Sequence, residues 1–235
     1  MLINVLKAVH DPRHDHGKDQ RGHGKSDRAT DYSPDLMADD LHAFATALHL
    51  PPFVLIGHSM GGTIGMMLAA RHPDSVGKLM VVDMFPFMGA MFGGQTSDAV
   101  RPTADQIRGQ MLAAPPGSTG GMVEQMIANM TQTESARPEL VRQARESNRT
   151  TTANAFHELI VTDLRPELAN IRVPTTVLYV VPPQAPITPE QYVGYMELSY
   201  ATLPNKRIVR IDNSYHFIMI DQFDRFMQEV NTFLG

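Results

Sequence analysis

Phe53-Val54-Leu55-Ile56-Gly57-His58-Ser59-Met60-Gly61-Gly62 is a short apolar run that passes through a glycine-flanked serine into a helix-like stretch, Met60 to Arg71. Two prolines precede the run and glycines follow it, so it reads as strand, sharp turn, helix. Gly57-His58-Ser59-Met60-Gly61 has the G-x-S-x-G pattern of a nucleophile elbow in the setting that pattern needs. The reason is steric. A serine held in a tight strand-to-helix turn needs glycine around it, so that neighbouring backbone can approach without a Cβ clash. Its Oγ is then presented at the end of the sheet, and the next helix aims its N-terminus at the same spot. The amide of Met60 and the local dipole are therefore expected to stabilise a developing oxyanion.

Working outward, Leu36, Met37, Leu41, Phe44, Ala45 and Leu48 recur at helical spacing behind Pro34, which predicts an amphipathic helix from Pro34 to Leu48. Lys78 to Asp83 and Thr175 to Val181 are short apolar runs of the kind buried on both faces of a parallel sheet, and Arg207 to Asp212 is a weaker fourth. The expected fold is α/β, a mostly parallel sheet flanked by helices. The interval from Met84 to Asn170 is too long for a crossover helix alone, so residues 85–162 are expected to be an inserted helical cap on a core of 1–84 and 163–235. Met84, Met88, Met91, Met111, Met122, Met126 and Met130 crowd this region, and flexible thioethers suit an adaptable apolar pocket. The Pro115 to Gly121 stretch reads as a loop and Glu134 to Arg149 as solvated helix face.

Composition narrows the function. The chain has 235 residues, 43% of them hydrophobic, enough for one sizeable core. A formal charge of −5 gives no basic field for nucleic acid. The absence of cysteine excludes thiolate metal sites and thiol nucleophiles. No run approaches the roughly 18 to 20 apolar residues of a membrane span, and Met1 to Val9 lacks the flanks of a signal peptide. The expectation is a soluble, cytoplasmic protein with no cofactor and no metal, acting on a small molecule rather than on nucleic acid or membrane.

Asp19-Gln20-Arg21-Gly22-His23-Gly24-Lys25-Ser26-Asp27, the elbow, Arg71-His72-Pro73-Asp74, Lys78 to Asp83, Arg172 to Tyr179 and Ser214-Tyr215-His216-Phe217 together resemble consecutive landmarks of the α/β-hydrolase family. The resemblance runs from Asp19 to the C-terminus. It implies a serine hydrolase with residues in the order Ser, acid, His.

A hydroxyl is a poor nucleophile near neutral pH, so Ser59 needs a base, and histidine suits that role. Among ten histidines, His216 follows the weak fourth strand by a short loop and precedes an amphipathic helix, Asp221 to Leu234, which matches the family's histidine position. His42, His49, His58, His72 and His157 are given surface or packing roles rather than that of the base. His58 in the elbow, with Met84, Phe85 and Met88, is assigned to substrate binding. The acid departs from the family's commonest pattern. After Val181 the chain reads Pro182-Pro183-Gln184-Ala185-Pro186, with no carboxylate until Glu190. Asp83, which ends the preceding strand, is the first candidate; Glu190 and Asp212 stay open as alternatives.

Only eighteen residues precede Asp19, and Val9 to Lys18 is too polar for the strand the resemblance places there. His16-Gly17 stands in the wrong place for the loop that supplies a second oxyanion amide. The chain is thus expected to be truncated or altered at the front, with a sheet several strands short, exposed edges that a homo-oligomer would cover, and turnover lowered by about 10² to 10³ if one oxyanion donor is lost. Two further functions stand beside the serine hydrolase. His10, Asp11, His14, Asp15 and His16 supply ligands for a metal-assisted hydrolase or lactonase, and an incomplete site would leave a ligand-binding relic of the fold. The first expectation is hydrolysis of a carboxylic ester, thioester or lactone by Ser59, His216 and Asp83.

Overall fold

A computed structural model describes residues 20–113, 122–185 and 187–235. The His10 to His16 cluster, His16-Gly17, Asp19 and the Pro115 to Gly121 loop lie outside the described residues. Residues 21–26 are turns and bends.

The chain then alternates helix and strand. Helix α1 (Pro34–Ala47) is capped by Ser33, whose side chain accepts from Leu36 N–H. It is followed by β1 (Phe53–His58), α2 (Met60–Arg71) and β2 (Val76–Val82). Next come α3 (Ser97–Ala113), α4 (Met122–Ala128), α5 (Arg137–Glu146) and α6 (Arg149–Val161), then β3 (Thr175–Tyr179), α7 (Pro189–Ser199), β4 (Lys206–Arg210), α8 (Ile218–Asp221) and α9 (Phe223–Leu234). The four strands form one parallel sheet in the order β1-β2-β3-β4. All four predicted apolar runs are strands of it.

Alternation along the strands sorts the core into two layers, because successive side chains point to opposite faces. Leu55, Leu79, Val81, Val177 and Tyr179 pack with α1, α2 and α7. Met80, Val82, Leu178 and Val180 pack with Ile211, Ile218, Val230 and Phe233 on the other face. Helix α2 is buried from Met60 to Ala69, which explains why it lacks a polar face. The β4 signal is weak in sequence because none of its residues is fully buried, so it needs no continuous apolar run.

The interval between β2 and β3 carries α3 to α6 and a short 3-10 turn at Met88–Phe92. The chain leaves the sheet and returns to it at one neck, where Phe87 and Asp163 bridge in antiparallel fashion and Leu164 N–H donates to Pro86 C=O at 2.9 Å. Phe87, Val100, Ala104, Ile160 and Val161 form a separate small core there. Among the described residues no helix is long and apolar enough to cross a membrane.

Candidate active site

Ser59 sits between β1 and α2 with φ 55° and ψ −126°, a backbone region that side-chain-bearing residues rarely occupy. Such strain costs about 1–3 kcal/mol and persists only where the surroundings impose it. Here Ser59 N–H donates to Val82 C=O at 3.0 Å, and Gly62 N–H donates back to Ser59 C=O at 2.7 Å. The glycine requirement is steric, as expected. A Cβ on Gly57 would stand 2.2 Å from the Gly61 carbonyl oxygen, and one on Gly62 would stand 2.9 Å from Val81 Cγ1. Met60 heads α2, where the first amides have no acceptor within the helix.

Asp83 follows β2 and also has positive φ, 50°. Its amide donates to Leu178 C=O at 2.7 Å and its Oδ1 accepts from Val180 N–H at 3.1 Å, so β3 orients the carboxylate. The other oxygen, Oδ2, lies 2.6 Å from His216 Nδ1. A carboxylate accepts, so Nδ1 carries the proton and the second ring nitrogen, Nε2, is left as the basic one. Both side chains are largely withdrawn from solvent, His216 at 20% exposure and Asp83 at 15%. The other carboxylate candidates lie elsewhere. Asp212 is 65% exposed and pairs with Arg210 at 2.7 Å. Glu190 is an exposed first-turn residue of α7, where its own amide and Thr188 hold its pKa below the usual carboxylate range.

The structure thus brings Ser59, Asp83 and His216 to one cavity of about 200 Å³ at the C-terminal ends of the strands. Met84, Phe85 and Met88 line it, as do Met91, Met130, Phe156 and Leu159, so residues from the strand ends and from the interval between β2 and β3 form the wall. Met126 is instead 46% exposed. Asn129, Tyr192 and Tyr215 add polar edges that the sequence reading did not single out. They come from three separate elements and no local pattern marks them.

His58 is placed differently from its predicted substrate-wall role. It is absent from the cavity lining and packs behind His216, ring centroids 4.4 Å apart. Its Nε2 lies 2.9 Å from the His216 carbonyl, so Nε2 bears the proton and donates. Burial drives its pKa down to about 3, the His216 ring adds to that, and the backbone hydrogen bond opposes it. His58 is therefore neutral at pH 7 and braces the histidine loop from below. The physical reason for the difference is alternation: Ser59 faces the cavity end, and the side chain before it is turned to the face shared with α8. Among the described residues no group of three or more His, Asp or Glu is arranged to hold a metal ion.

Comparison with known proteins agrees with this architecture. Over 220 residues the chain is 30% identical to N-formylmaleamate deformylase of Pseudomonas putida, covering 92% of this chain and 76% of that protein. A shorter stretch of 68 residues is 47% identical to sn-1-specific diacylglycerol lipase ABHD11 of Mus musculus, covering 29% of this chain. That match spans only 22% of the lipase's length. A hydrolase from Pseudomonas aeruginosa PA01 superposes with a TM-score of 0.75 at 22% identity, covering 92% of this chain and 78% of that one, a likeness of fold. The sequence model of the alpha/beta hydrolase fold matches residues 16–223. With that match over most of its length, and with its parallel sheet, serine turn and Asp83–His216 pair in one cavity, the chain belongs to the α/β hydrolase fold family.

Proposed function

We propose that this protein is a serine hydrolase that cleaves carboxylic ester, thioester or lactone bonds through Ser59, His216 and Asp83. The observation that carries the reading is the 2.6 Å contact between His216 Nδ1 and Asp83 Oδ2 on the same cavity as a strained, elbow-held serine. The carboxylate-held imidazole keeps its proton on Nδ1 and offers Nε2 as the base.

In the proposed cycle Ser59 Oγ bonds to the substrate carbonyl carbon as its proton passes to His216 Nε2. The carbonyl electrons move to oxygen, where the amide of Met60 at the head of α2 stabilises them. Collapse expels the alcohol, thiol or ring oxygen, which takes the proton from Nε2, and leaves an acyl ester on Ser59. Water then repeats the sequence, giving its proton to Nε2, and Ser59 is released with the acid product. Asp83 remains ionised throughout and stabilises the transient imidazolium.

The cavity supports a neutral, apolar acyl group as substrate. Its wall is dominated by Met84, Phe85, Met88, Met91, Met130, Phe156 and Leu159, and no Lys or Arg is among the described residues lining it. An apolar wall with few convergent polar groups suits a short or medium acyl chain. The lipase and deformylase names of the two relatives concern acyl bonds as well. The test is fluorophosphonate labelling with parallel turnover of p-nitrophenyl esters of increasing chain length, beside Ser59→Ala. Labelling and turnover that vanish in the alanine variant are expected; a folded wild-type protein that resists the probe would overturn the reading.

A further inference from the structure

Between His216 and the inserted helices stands a carboxylate with an unusual set of partners. Asp221, the last residue of α8, accepts at Oδ1 from Thr131 Oγ1 at 2.6 Å, Thr133 Oγ1 at 2.8 Å and Thr133 N–H at 3.0 Å. Gln132 N–H donates to both of its oxygens, at 3.0 and 3.1 Å. Its Oδ2 also accepts from Tyr215 N–H at 2.9 Å. One side chain therefore gathers donors from the loop after α4 and from the residue preceding His216. Phe217 N–H, on the other side of the histidine, donates to Met130 C=O at 3.0 Å. The histidine is flanked on both sides by backbone bonds that depend on this junction.

Burial pushes the Asp221 carboxyl up, but the donors from Thr131, Tyr215, Gln132 and Thr133 outweigh it and hold the group below the usual carboxylate range. It is charged at neutral pH, and charge-assisted hydrogen bonds are the strong ones. The junction also reaches the cavity. Asn129 and Met130, just before Thr131, line it, and so do Tyr215 and His216.

We propose that Asp221 is a positioning residue that sets the His216 loop and the insertion-side wall of the cavity through one carboxylate. This rests on the reading of His216 as the base. The two oxygens divide the work: the Oδ2 bond to Tyr215 holds the base, and the Oδ1 bonds to the threonine hydroxyls hold the wall formed by Asn129 and Met130. A misplacement of catalytic groups by about 1 Å costs on the order of 10²-fold in rate, so a loosened loop is read in kcat and a loosened wall in KM.

The experiment compares wild type, Asp221→Asn and the double variant Thr131→Val with Thr133→Val. Each is assayed for p-nitrophenyl ester kcat and KM, for the fluorophosphonate labelling rate and for hydrogen exchange at the Tyr215 amide. Asp221→Asn is expected to lower kcat and labelling together by at least about tenfold and to speed Tyr215 exchange by a similar factor. The threonine pair is expected to raise KM by at least about threefold while kcat stays within about twofold. A folded Asp221→Asn protein with kcat and labelling within about twofold of a labelled wild type overturns the proposal. If that variant does not fold, unchanged KM in the threonine pair overturns it. If wild type itself resists the probe, the serine reading has failed separately, and unchanged Tyr215 exchange in Asp221→Asn still overturns the clamp.

Discussion

Replacing Asp83 by asparagine removes one negative charge and turns one acceptor into a donor with almost no change in volume. The consequence follows from the two partners of the carboxylate, Val180 N–H at 3.1 Å and His216 Nδ1 at 2.6 Å. In one amide orientation the oxygen keeps Val180 and the NH₂ faces Nδ1, which must then accept. The proton moves to Nε2 and the base facing Ser59 is lost, a tautomer error worth about 10⁴-fold in kcat. In the other orientation the oxygen keeps His216 and the NH₂ confronts Val180 N–H. That leaves a buried donor unmet at about 1–3 kcal/mol, or roughly 5- to 150-fold in the share of productive protein. Either way the imidazolium loses its counter-charge. The expected result is a kcat loss between about 10-fold and 10⁴-fold with KM within about threefold. Initial rates on a p-nitrophenyl ester, with Ser59→Ala as the zero, measure it. A folded asparagine variant with wild-type kcat would refute the assignment of Asp83 as the group that sets the His216 tautomer.

Other consequences are equally direct. Ser59→Gly relieves the positive φ of a non-glycine residue, so it should be inactive yet melt at or above the wild-type temperature, a gain of up to about 1 kcal/mol; a lower melting point would argue against strain at this turn. Gly57→Ala drives a methyl toward the Gly61 carbonyl oxygen and should cost at least about 2 kcal/mol in urea unfolding, with activity lost even where folding persists. His58 gives a pH signature. Its pKa falls from 6.5 to about 3 on folding, so between those values the unfolded chain holds a proton that the native chain refuses. Its contribution to stability is complete above pH 6.5 and is lost as the pH falls toward 3. Between pH 6.5 and 4.5 the wild type should lose up to ~2–3 kcal/mol more than His58→Gln, at about 1.4 kcal/mol per pH unit. Parallel denaturant curves at the two pH values would exclude a neutral, enclosed His58.

Much of this molecule is legible in one dimension because its signals are local. Four consecutive apolar residues before Gly57, with prolines before them and glycines after, mark a strand, and those glycines leave room for the serine turn. The Pro34 helix, the strand runs at Lys78 and Thr175 and the loop after β4 are likewise written in neighbouring residues, and the structure forms each of them. The one faint strand, β4, is faint for a reason that is itself structural: its side chains are exposed or half-buried, which lifts the demand for continuous apolar residues.

The site is legible only where one residue carries its own context. Ser59 does, and His216 does by its place after the last strand. The carboxylate does not. Asp83, Glu190 and Asp212 are all acids near strand or helix ends, and sequence spacing left the three of them open. Tertiary structure separates them: it sets Asp83 2.6 Å from a ring 133 positions away, leaves Asp212 on Arg210 and Glu190 in the first turn of α7. It also turns His58 away from the cavity and makes Asp221 the meeting point of two distant loops. Amino-acid type and spacing thus determined the strands, the serine turn and the family of this chain. Strand order decided which carboxylate meets the His216 ring and what packs behind that ring, because a parallel sheet gathers the C-terminal ends of strands far apart in sequence, and nothing local in a carboxylate records which end it will face.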